Sequence, residues 1–227
     1  MPITQPPLSS LIHAALRAEI LAGEYPPGSA LPSERALSER LGTNRHAVRE
    51  ALKRLQQAGL VQISQGGATR VRDWRRTGGL ELLVELAASG EAPPGIELPR
   101  ATLEMRASVG ADAARLCARR AGAAIRAELV ARAAALTEAE DLDERNEIYE
   151  RLWDVIVDTS ENVAYRLALN TLLAGQRVLR FDAALVADEL AATDLIRALV
   201  AAIADRDEDT AERRARNLLN RSIPKES

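Results

Sequence analysis

Asn44, Arg45, His46 and Arg49 fall within six residues of one short stretch, LGTNRHAVREAL (41–52). Each can hydrogen-bond a nucleic acid. An Arg fork can meet O6 and N7 of guanine together, worth roughly 1–3 kcal/mol of discrimination per good pair. Arg45 and Arg49 are four apart, so on a helix they project from one face, one turn apart. Asn44 and His46 can add contacts to phosphate or base, and Ala47 can meet a thymine methyl. Lys53 and Arg54, further along, suit the phosphate backbone or solvent. An arginine pair alone also describes a solvated helix face. Here it follows a Gly-containing turn at the start of a helix, where free N–H groups and the positive dipole end favour phosphate.

The whole chain has a formal net charge of −3, which makes this basic stretch stand out. Residues 1–76 carry 11 Lys/Arg against 6 Asp/Glu, whereas the remainder carries 19 against 27. A basic first third joined to an acidic remainder implies one part that meets a polyanion and one that does not. The single cysteine, Cys117, rules out an internal disulfide framework and agrees with a reducing cytoplasm. MPITQPPLSS has neither a basic start nor an apolar core, and no apolar run is long enough for a bilayer. The expectation is a cytoplasmic protein with no membrane partner.

The elements that must position these side chains follow from periodicity. Leu8, Leu11, Ile12, Leu16 and Ile20 recur at helical spacing, predicting a helix over 8–22. GEYPPGSALP (23–32) stops it and forces a loop. A short helix over about 33–41 ends at Gly42. A third begins at Thr43 or Asn44, either of which can cap it, and buries Ala47, Val48, Ala51, Leu52 and Leu55. Gly59 suits the position just past its end. LVQIS (60–64) and TRVR (69–72) then alternate as strands around Gln65-Gly66-Gly67-Ala68. Three helices and a hairpin describe a winged helix-turn-helix, whose second motif helix enters the major groove.

Beyond Gly78 strand patterns cease. LELLVELAAS is helical, GEAPPGIELP (90–99) reads as a linker, and aliphatic periodicity runs over 100–121, 123–139, 143–160, 162–182, 185–205 and 207–221. Leu190, Leu195, Ile196, Leu199, Val200 and Ile203 show it well. The Ala richness over 107–135 reads as helix filler. The fold class is therefore mainly α. A winged helix-turn-helix occupies 1–76, a helix and linker 77–99, and an all-helical bundle of six to seven helices 100–227. No nucleophile–base–acid set, phosphate loop or metal cluster points to an enzyme, and no cofactor is expected.

ILAGEYPPGSALPSERALSERLGTNRHAVREALKRLQQAGLV resembles the GntR family of bacterial transcriptional regulators. The shared pattern is a Gly-x-x-x-Pro-Gly loop, Leu-Pro-Ser-Glu-Arg, Arg-x-x-Val-Arg-Glu-Ala-Leu and a Gly-bearing wing. By that resemblance Arg35, Arg45 and Arg49 are the principal DNA-contacting residues. Asn44, His46 and Ala47 sit at the groove, and Gln65 with Gly66 forms the wing tip near the minor groove. The family more often has Ser or Thr where Asn44 stands. The implied partners are a pseudo-palindromic double-stranded operator and a second copy of the chain.

The all-helical second part is similar to the FadR/FCD branch of that family. QGGATRVRDWRRTGGLELLVEL (65–86) resembles the wing-to-linker segment of its fatty-acid-metabolism regulators. Many relatives bind a divalent metal through an Asp and three His. Here both histidines, His13 and His46, precede residue 77, and aligning TSEN (159–162) with the usual Ser-Gly-Asn puts Tyr149 and Trp153 where Asp and His are needed. No metal site is expected. The resemblance implies a small-molecule effector, an acyl-CoA first, with a small carboxylate or sugar acid, or dimerisation without an effector, as alternatives. Arg106 occupies the place of an arginine that contributes to the acyl-CoA site, and reads equally as a solvated or salt-bridged residue. The segment AERRARNLLNRS lacks the aromatic residues those regulators use around acyl-CoA. Tyr149, Trp153, Tyr165, Asn170 and Arg177 are further pocket candidates, each also readable as core or surface.

Overall fold

The computed structural model describes residues 7–64, 66–89, 93–178 and 183–224. The chain forms two compact units, residues 1–96 and 97–227, each treated by itself below.

In the first unit the order is α1 (Leu8–Ala22), α2 (Glu34–Arg40), α3 (Arg45–Gln57), β1 (Val61–Gln62), β2 (Arg70–Val71), α4 (Trp74–Thr77) and α5 (Glu81–Ser89). The i, i+4 stripe of α1 buries Ile12, Leu16 and Ile20, and α3 buries Val48, Ala51, Leu52 and Leu55. Burying an aliphatic side chain of this size contributes about 1.5–3 kcal/mol. Arg40 ties α2 to α1 through Glu19 at 2.9 Å.

Val61 faces Val71 across the antiparallel hairpin and both are buried, while Gln62 faces Arg70. The strands are shorter than alternation predicts, and the Pro-rich segment before α2 bonds the other edge of β2. Gly28 N donates to Val71 O at 2.8 Å, Val71 N to Ser29 O at 2.9 Å, and Leu31 N to Thr69 O at 2.8 Å. What reads as loop in sequence thus braces the sheet edge.

Gly59 ends α3 with φ +74°, and a Cβ there would lie 2.1 Å from the Thr77 carbonyl oxygen. Thr77 Oγ1 donates to Gly59 O at 2.7 Å, so glycine allows α4 to close against the end of α3. α4 itself has no aliphatic periodicity to announce it; Asp73 caps it by accepting from Arg75 N at 3.2 Å. α5 buries Leu82 and Leu86, and its Glu85 meets Arg17 of α1 at 3.0 Å.

The second unit comprises α6 (Leu98–Arg120), α7 (Ala123–Glu138), α8 (Leu142–Thr159), α9 (Val163–Val178), α10 (Ala183–Leu190), α11 (Thr193–Ala204), α12 (Glu208–Leu219) and a 3-10 turn (Asn220–Ser222). No helix among the described residues is long and apolar enough to cross a membrane.

The long helix α6 is the axis of this bundle, packed most extensively by α12 and also by α8, α9 and α11. Its alanines are more than filler: Ala107, Ala111, Ala114 and Ala118 are buried and allow close approach. At Gly110 a Cβ would lie 2.5 Å from Leu219 Cδ1 and 3.4 Å from the Trp153 ring. Cys117 is buried in the same face, and burial pushes its thiol up to about 12, so it stays protonated and unreactive.

The stretch expected to be one helix over 185–205 is two, broken at Ala191 and Ala192. No Gly or Pro marks the break. Leu190 and Ile196 on either side of it are both buried, and Glu189 just before it turns inward.

Candidate nucleic-acid interface and effector centre

The N-terminus of α3 is set by Asn44, not Thr43: Asn44 Oδ1 accepts from Ala47 N at 2.9 Å. Thr43 Oγ1 is buried without a hydrogen-bond partner among the described residues. The capped turn presents Arg45, His46 and Arg49 to solvent, and Asn44 is exposed beside them. Arg45 makes no hydrogen bond or ion pair among the described residues. Arg49 is held: its Nε donates to Glu34 Oε1 at 3.1 Å and its Nη2 to Glu34 Oε2 at 2.7 Å. Nη1 makes no hydrogen bond among the described residues. The hydrogen bond from Arg49 lowers the Glu34 pKa, and Glu34 raises that of Arg49.

Arg35 lies at the start of α2, exposed, 3.6 Å from Glu39. Ala47 is only 8% exposed and belongs to the core, so little of its methyl faces outward. Gly66 is exposed with φ +70°, as a wing turn requires. Gln65 lies outside the described residues. Arg72, Arg75 and Arg76 are exposed after the wing, with the Arg75 guanidinium 4.5 Å from the Trp74 ring centre. The first unit thus carries exposed cations on α2, on α3 and after β2.

In the second unit the sequence candidates divide. Arg106 and Tyr149 are brought together by Glu189, which sequence reading missed. Arg106 Nη1 and Nη2 bond Glu189 Oε1 and Oε2 at 2.7 and 2.9 Å. Tyr149 O–H donates to Oε2 at 2.5 Å, and Ser222 Oγ donates to Oε1. Glu189 is wholly buried, and Arg106 and Tyr149 nearly so. Burial opposes the charge on Arg106, but the adjacent carboxylate outweighs it and raises the pKa. Burial, then Glu189, pushes the Tyr149 hydroxyl well above its ordinary value. Both donors keep their protons. Trp153 packs edge-on to Tyr149 at 6.3 Å and 84°.

The solvated alternative for Arg106 is thereby excluded. Tyr165 belongs to a separate ion-pair group, donating to Asp112 Oδ2 at 2.9 Å while Arg115 holds Oδ1 at 2.7 Å. Asn170 is exposed. Arg177 falls in α9, but its side chain is outside the described residues. No three metal-type side chains cluster among the described residues. One sequence signal marks Glu189: it lies at i+3 from Val186 and beside Leu190, on the apolar stripe of α10, where a solvated carboxylate does not belong.

Two family models match the chain, one in each unit. Residues 8–71 match the family model described as bacterial regulatory proteins, gntR family, and residues 101–221 match the FCD domain. The chain is 40% identical to the HTH-type transcriptional regulator Mce2R of Mycobacterium tuberculosis, over 76% of this chain and 72% of that protein. It is 42% identical to the fatty acid metabolism regulator protein of Shewanella halifaxensis, over 40% of this chain and 38% of that protein. A solved structure described as Lar, which controls expression of the Listeria monocytogenes agr system and mediates virulence, has a TM-score of 0.52. It is 15% identical over 97% of this chain and 96% of that one, a likeness of fold alone. This chain belongs to the GntR family of bacterial regulatory proteins, as a transcriptional regulator with an FCD domain.

Proposed function

We propose that the chain binds a pseudo-palindromic operator as a homodimer, and that a small molecule in the helical unit controls that binding. The observation carrying the DNA reading is the capped first turn of α3, with Arg45, His46 and Arg49 all exposed. That turn adds a positive dipole end to two guanidinium forks. Two protomers related by a two-fold axis would read two half-sites one helical turn apart.

An effector acts only if it binds one arrangement of the dimer better than another. Fatty acyl-CoA is the first class, supported by the segment 65–86 and by the names of partial relatives such as the Shewanella protein. A small carboxylate is the second, favoured by the donors of Arg106, Tyr149 and Ser222 gathered around a carboxylate. Footprinting of the chain's own upstream DNA, repeated with long-chain acyl-CoAs and with organic acids, tests the reading. A two-fold footprint that one class weakens at micromolar levels supports it and chooses between the classes. A footprint unmoved by either leaves a DNA-binding dimer with no effector.

A further inference from the structure

We propose that Arg106, Tyr149 and Ser222 form a carboxylate-binding site that Glu189 occupies from within the chain, and that a carboxylate-bearing effector enters by displacing it. This rests on the reading that the helical unit holds an effector.

Neutralising a buried arginine needs one carboxylate partner. Here four donor atoms converge on two oxygens, two on each: Nη1 and Ser222 Oγ on Oε1, Nη2 and Tyr149 O–H on Oε2. A carboxylate has about four lone-pair positions, and the Arg fork matches its plane. One permanent cation and two hydroxyl donors suit a planar anion.

The donors come from three separate places: α6, α8 and the 3-10 turn after α12. The acceptor arrives on a fourth, the eight-residue α10. Among the described residues, Arg106 and Glu189 are the only buried charged side chains of this unit, in a core that is mainly aliphatic. A buried ion pair contributes little net stability compared with apolar side chains of the same volume. Stability alone is a weak reason to assemble four donors there.

Exchange is chemically even-handed. One carboxylate replaces another, so Arg106 is never left as an unpaired buried charge. What changes is α10, otherwise held by Leu190 in the core and by Arg221 Nε donating to Asp188 O at 2.9 Å. Glu189 acts as a built-in competitor that lowers the apparent affinity of a free ligand by the fraction of time it holds the site.

Calorimetric titration of the full-length protein and of Glu189→Gln with octanoate, succinate and acetate tests this. Glutamine keeps the shape but removes the competing charge, so at least one carboxylate is expected to bind the variant about tenfold more tightly or better. Octanoate alone doing so identifies a fatty-acid ligand, succinate or acetate a short organic acid. The gain should vanish in Arg106→Met combined with Glu189→Gln. As an independent readout, Glu189→Ala should melt below wild type and recover in formate, but not in chloride at equal ionic strength. Equal affinity for wild type and Glu189→Gln, or no binding to either with no formate-specific recovery, overturns the proposal. Gel shifts separate the two claims. If a carboxylate binds the variant more tightly without changing operator affinity, the site stands and the effector reading falls. If operator release needs the same ligand concentration in both proteins, the effector reading stands and the site falls.

Discussion

Glu34 grips Arg49 at two points, Nε to Oε1 at 3.1 Å and Nη2 to Oε2 at 2.7 Å, across the turn that joins α2 to α3. The pair is solvent-exposed, so water and salt screen it and it contributes little to folding. Its consequence lies in recognition. Glu34 fixes the fork through Nε and Nη2, and its own negative charge repels phosphate. Glu34→Ala should therefore raise affinity for random DNA while lowering the ratio of operator to random binding. The expected fall in that ratio is up to about fivefold, the equivalent of one exposed pair. Competition gel shifts with and without random DNA measure it. An unchanged ratio would mean that Arg49 is not positioned by Glu34 in the complex.

Arg45 and Arg35 should fail differently. Arg45 makes no hydrogen bond or ion pair among the described residues and stands at the end of α3 expected at the base edges. Arg45→Ala should cost about 1–3 kcal/mol and relax preference at one position of each half-site, leaving the dimer intact by size exclusion. Arg35→Ala, at the start of α2, should weaken all sequences alike and reduce the log–log salt slope by about 1. If Arg45→Ala lowers every sequence equally, it contacts phosphate instead.

Gly59→Ala tests how the wing end is built. Alanine at φ +74° is strained, and its Cβ would meet a backbone carbonyl, which cannot rotate away, at 2.1 Å. The strain and the overpacking together should cost about 2–5 kcal/mol. The denaturation midpoint should fall at an almost unchanged denaturant slope. A loss under 1 kcal/mol would show that α4 moves aside freely.

Much of this was legible in the sequence, and the reasons are local. The stripes of α1 and α3 are amphipathic at one period, so Leu16 and Leu52 announce their burial. Gly59 and the cap before Arg45 follow from backbone chemistry that any helix end imposes. The illegible parts depend on distant partners. VADELAATDL holds no Gly or Pro, so the break after Leu190 has no local mark, and the place of Glu189 on an apolar stripe hints at burial without naming its partner. Arg106 is 83 residues away from the carboxylate that explains it. Ala114 and Gly110 read as filler until α12 is seen lying against them.

His13 carries the pH dependence of the first unit. It is 2% exposed on α1, its Nε2 has no hydrogen bond, and Glu85 of α5 is 3.7 Å away, too far to bond it. Burial lowers its pKa below 6.5. Glu85 opposes that shift, while Arg54 of α3 and Arg17 of α1 reinforce it. The unfolded chain therefore takes up a proton near pH 6.5 that the folded chain still refuses. Below that pH the unfolded state binds more protons and stability falls, until His13 protonates in the folded state as well. Wild type should accordingly lose more melting temperature than His13→Met between about pH 7.5 and about pH 5.5, the window in which histidine titrates. The carboxylates shared by both proteins cancel in that difference. Parallel melting curves across the window would show that Glu85 offsets burial and leaves the His13 pKa the same in the folded and unfolded chain.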